Sequence, residues 1–130
     1  MKVLLVALLS LALWGCGSDV SDTIGRQQLG DVVIELQCRP APVTIGMNEF
    51  LVLATDVHGA PAHDLLVDLR VKDEAVWRQA IQDGFSGVYR KAIGVESLQD
   101  PLQVRIKRDG VETVLQFPLT KTKQVTVKSP

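Results

Sequence analysis

Most groups that carry chemistry are scarce in this chain. Its 130 residues hold two cysteines, two histidines, one tyrosine and two tryptophans, and aromatic residues make up only 5% of the whole. So few thiols and imidazoles exclude the repeated Cys and His spacings of zinc ribbons and fingers. No glycine-rich phosphate loop is present, and neither Ser86 nor Ser97 stands in a nucleophile elbow. The paired carboxylates Asp73-Glu74, with Asp56 and Asp64, read as turn and surface charges, so no enzyme and no cofactor is expected. Net charge is also lacking, because 14 basic residues face 15 acidic ones. A chain this close to neutral has no field suited to nucleic acid. After position 16 no apolar run approaches the roughly 18 residues of a membrane-spanning helix.

What is present starts at the first residues. Lys2 precedes an almost unbroken apolar run over residues 3–13, and Leu13-Trp14-Gly15-Cys16 follows. This order is a secretory signal, too short to be a stable span. It resembles the bacterial lipoprotein type, which implies removal of residues 1–15 and lipidation of Cys16 as the new N-terminus. Trp14 is the one bulky, atypical residue in it. Gly17 and Ser18 resemble sorting residues that favour the outer membrane, where an Asp at position 17 would favour the inner one. The implied address is therefore the periplasmic face of the outer membrane, with the inner membrane as the alternative. Lipid on Cys16 would leave Cys38 without a cysteine partner; the other reading is a Cys16–Cys38 disulfide in a secreted form. Cys38 ends the row Ile34, Leu36, Cys38 on one strand face, so it reads as a small buried hydrophobe.

Residues 16–30 are small and polar and read as the lipidated cysteine with a flexible tether. From Asp31 onward, short alternating apolar runs recur at roughly ten-residue spacing between turn residues. Strands are predicted over residues 32–38, 49–56, 65–71, 87–93, 102–107 and 113–119. The run at 50–54 suits a strand buried on both faces, and Asp109-Gly110 is a strong hairpin turn. Residues 73–82 fit either a short helix or a two-residue period. The period favours a strand over 76–82, and one large aromatic is usually buried in a sandwich, so Trp77 is expected in the core rather than, with Val76 and Ile81, in a contact patch. Residues 120–130, with Lys121, Lys123 and Lys128, read as a basic tail or an edge strand. The folded domain then covers 31–119 as an all-β, two-sheet sandwich of about seven strands, a closed barrel being the alternative.

Three motifs carry a family likeness. Pro42-Val43-Thr44-Ile45-Gly46-Met47-Asn48-Glu49-Phe50, then Thr55-Asp56-Val57-His58-Gly59-Ala60-Pro61, then Gly87-Val88-Tyr89 together resemble the FixH/YtkA-like family of bacterial extracytoplasmic domains. The resemblance spans about residues 31–119 and implies an immunoglobulin-like β-sandwich. It also implies that Tyr89 acts as a corner tyrosine, its ring inside and its hydroxyl on a backbone group. Where relatives carry methionines, this chain has Val71-Lys72-Asp73-Glu74-Ala75, with no sulfur ligand. Copper(I) would accept Cys38, Met47, His58 or His63. The two histidines flank the Gly59-Ala60-Pro61 turn and are the candidate metal residues, while Met47 belongs near the far end of the strand. The functional expectation is a membrane-anchored, non-catalytic accessory or protein-interaction module of the cell envelope. Its partners would be the membrane, through the lipid, and an envelope protein. The alternative is a copper-binding or copper-delivery protein related to oxidase assembly.

Overall fold

The computed structural model describes residues 22–72 and 76–120. Among them are nine strands and no helix: β1 (Asp22–Leu29), β2 (Val32–Arg39), β3 (Gly46–Asp56), β4 (Leu66–Val71), β5 (Arg78–Gln79), β6 (Ile81–Gln82), β7 (Val88–Val95), β8 (Leu102–Arg108) and β9 (Val111–Phe117). Two antiparallel sheets stack, in the orders β1-β2-β3-β7-β6 and β5-β4-β8-β9. Strands β2, β3, β7 and β6 occupy the A-B-E-D places of an immunoglobulin-type sandwich; β4, β8 and β9 occupy C-F-G, with β5 at C′. The expected sandwich is therefore present, with β1 and β5 added to the seven-strand frame.

Alternation builds the core. Val32, Ile34, Leu36 and Cys38 point inward from β2 while the residues between them are only half-buried. Val67, Leu69 and Val71 point inward from β4, and Leu102, Val104 and Ile106 from β8. At a cost of roughly 1.5–3 kcal/mol for each such side chain left in water, this inner layer supplies the main driving force for folding. Strand β3 lies mid-sheet, between β2 and β7. Phe50, Leu51 and Val52 are buried consecutively there, as the unbroken apolar run predicts. The β8–β9 hairpin turns on Asp109 and Gly110, both at positive φ (50° and 76°), which matches the right-handed strand twist.

Two expectations are corrected. Residues 22–29 are not tether: they form β1, paired with β2 from Asp22↔Cys38 to Leu29↔Val32. An edge strand needs little apolar surface, and Ile24 and Leu29 supply it by packing on the core. The domain therefore begins at least as early as Asp22, not at Asp31. The segment after residue 75 is extended, as its period suggests, but it changes sheets. Strand β5 pairs with β4 and β6 with β7, and the amide of Ala80, between them, donates to the Val67 carbonyl at 2.8 Å. Ala80 is the buried residue of this segment, while Val76 and Ile81 are exposed and Trp77 is half-buried. The expected signal and lipidated Cys16 fall in residues 1–21, and the expected basic tail or edge strand falls almost wholly in 121–130, both outside the described residues.

Candidate functional site

Two of the three family-like motifs, at residues 55–61 and 87–89, meet at one end of the sandwich, and all three are occupied in holding backbone. Asp56 ends β3, and its Oδ1 accepts from the amides of His58 (2.8 Å) and Ala60 (2.9 Å). The Ala60 bond, with that of His58, holds the Asp56 carboxyl below the ordinary carboxylate range. Pro61 bridges back to Thr55, and Gly87 approaches Ala54 so closely that a Cβ on it would lie 2.6 Å from the Ala54 carbonyl oxygen. Tyr89 is buried on β7. Its hydroxyl donates to the Ala62 carbonyl at 3.0 Å and accepts from the Leu65 amide at 3.3 Å. Burial pushes its pKa up. The role implied by the resemblance is thus present, but on the E-place strand and aimed at the β3–β4 link, rather than on strand F. At the opposite end, buried Asn48 accepts from the Thr44 amide and donates to the carbonyls of Thr44 and Gly46, fixing the start of β3.

The four soft or imidazole ligands are not gathered. Cys38 is buried opposite Phe50, and Met47 stands exposed at the start of β3, opposite Gly94. Nine residue steps separate Met47 from Asp56, about 30 Å at roughly 3.3 Å per step, and His58 lies beyond. His58 is exposed. His63, also exposed, sets its ring edge-on to Phe85 at a centroid distance of 5.6 Å. Among the described residues no group of three or more His, Cys, Asp or Glu side chains is placed to hold a metal ion.

A different cluster stands out on the outer face of the four-stranded sheet. Alternation turns Asp68 and Arg70 outward from β4, and Gln103 and Arg105 outward from β8. The register sets Asp68 opposite Arg105 and Arg70 opposite Gln103. The Arg105 guanidinium donates twice to Asp68 Oδ2, from Nε at 3.1 Å and Nη2 at 2.9 Å. Arg70 Nε donates to Gln103 Oε1 at 2.6 Å. Trp77 arrives just ahead of β5 and lays its indole against both guanidinium groups, 4.1 Å from Arg70 Cζ and 4.5 Å from Arg105 Cζ. Trp77 is therefore not a core residue, contrary to expectation. The core is already filled by Phe50 and Phe117, and cation–π contacts retain the indole at the surface. Gln103 is buried in this outer layer. Sequence reasoning found Trp77 but not its arginine neighbours, because their meeting depends on the β4–β8 register.

Comparison of the chain with protein-family models, curated proteins and solved structures returns no match. The likeness to FixH/YtkA-like domains rests on the three short motifs.

Proposed function

We propose that this protein is a lipid-anchored periplasmic module of the outer membrane that acts by binding another envelope protein and not by catalysis. The anchor is read from Leu13-Trp14-Gly15-Cys16. The observation that carries the binding role is the Trp77 indole kept half-exposed against Arg70 and Arg105 on an open sheet face. Trp and Arg are the side chains that most often dominate protein interfaces. Here each is held in place by neighbours, so little side-chain freedom is lost on docking. The arrangement of Asp56, Asn48 and Tyr89 supports the same reading, since each is committed to fixing a loop.

A photocrosslinking residue at exposed Arg78, introduced into the full chain in a Gram-negative host, tests it. One discrete envelope protein should be captured, and Trp77→Ala should abolish capture while retaining the folded β spectrum. Absence of any discrete adduct would overturn the binding role. So would stoichiometric copper(I) uptake by the chain that is lost on His58→Ala and His63→Ala. Mass analysis of the processed chain tests the anchor separately, by the presence of lipid on Cys16.

A further inference from the structure

If Cys16 carries the anchor, the added strand β1 brings the domain close to its membrane. Residues 17–30 read as a spacer, yet only residues 17–21 separate Cys16 from the start of β1. Six residue steps at about 3.5 Å reach at most ~21 Å. Asp22 is level with Cys38 and Phe50. From Phe50, strand β3 continues four more steps to Gly46, about 14 Å at roughly 3.4 Å per residue. The tip formed by residues 40–47 therefore projects past Asp22 in the direction from which β1 enters. Two large apolar side chains are exposed on this tip, Ile45 at 61% and Met47 at 66%. The chain leaves the domain at the same end, because Pro118, Leu119 and Thr120 line one recess with Asp22, Pro42 and Val43. The sequence after Thr120 carries Lys121, Lys123 and Lys128.

From this placement we infer that the β2–β3 tip is a membrane-contact surface, with Ile45 and Met47 seated at the headgroup–acyl boundary of the bilayer that holds the anchor. The inference rests on the lipoprotein reading. The occupant is a lipid surface because the short lead from Cys16 leaves the tip within about 10 Å of it when the strands stand upright. Apolar side chains seated at the headgroup–acyl boundary, with basic residues facing anionic lipid, are the general form of an interfacial contact. The other end, with Asp56, His58, His63 and Phe85, then faces away from the bilayer.

The test couples residues 16–130 through the Cys16 thiol to a maleimide lipid, Cys38 being buried, on phosphatidylethanolamine–phosphatidylglycerol vesicles that contain brominated lipid. Met47→Trp, Ile45→Trp and, at the far end, Val57→Trp are each compared with the unsubstituted chain. The added fluorescence at positions 45 and 47 should shift to the blue and be quenched at least about twofold more than at 57, as burial ~5–10 Å into the boundary requires. Equal quenching at 57, or none at 45 and 47 in variants whose unfolding midpoints are unchanged, would overturn the inference. The coupling does not depend on cellular lipidation. An unlipidated Cys16 in cells, found by mass, would therefore remove the anchor without altering the outcome on vesicles.

Discussion

One oxygen atom of Tyr89 fixes two backbone groups of the β3–β4 link. Tyr89→Phe would leave the Ala62 carbonyl and the Leu65 amide without that partner inside the protein. Urea unfolding should show a loss of about 1–3 kcal/mol, as for other stranded buried polar groups. Gly87→Ala should cost about 2 kcal/mol or more, since it joins a φ of 72° to a backbone clash. Gly110→Ala, at φ 76° but with open space around the added carbon, should cost only about 1 kcal/mol. The difference between the two glycines measures the close approach alone. Glu35 governs part of the acid limb. Its carboxyl is held low first by Arg26, at 2.8 Å, and then by Gln37, with Thr23 adding a third bond. A folded pKa below the unfolded one means stability that is full above the ordinary carboxylate range and lost as pH falls through the folded value. Glu35→Gln should flatten the stability–pH curve below about pH 5 and leave its slope at neutral pH unchanged. The turn and corner residues were legible in the sequence because Gly, Asp and Pro act locally. The place of Trp77 was not, because indoles suit both a core and a guanidinium-lined surface.

At the level of strands, β1 shows what a polar edge conceals. Its sequence, DTIGRQQL, has no sustained alternation, yet it pairs along β2 and carries Gly25 across Phe117, where a Cβ would lie 2.9 Å from the ring. Gln27 Nε2 also reaches the Gln116 carbonyl of β9 at 2.7 Å. A chain starting at Asp31 should therefore unfold at lower urea than one starting at Asp22. The loss should be about 2–3 kcal/mol, the burial that the half-buried Ile24 and Leu29 contribute against the core. It should also self-associate through the bared edge of β2. Equal midpoints would show that β1 adds nothing to the fold. The inner strands were legible because each must fill a face, which imposes a period of two. The switch of sheet at Ala80 was not, because two-residue strands hold no pattern long enough to read, and the buried residue is the smallest in the segment.

Across the whole molecule, cohesion is uneven. Strands β2, β3 and β8 lie inside their sheets, whereas β5 and β6 pair through two residues each. Native-state hydrogen exchange should rank accordingly, with amides of β5, Ala80 and β6 opening well before those of β2, β3 and β8. Uniform protection across all nine strands would contradict that order. The sandwich as a class followed from the count and spacing of alternating runs, while its added strands and the outer-face cluster emerged only with pairing. The β1–β2 register has one mechanical consequence. Asp22 opens β1 and faces the end of β2, and seven Cα pairs, its own included, run along the strand axis. A chain drawn out at Asp22 along that axis loads these pairs side by side, in shear, and not one after another as in a peeling hairpin. β1 is then a built-in strain relief, able to take a tug on the leading segment before the core feels it.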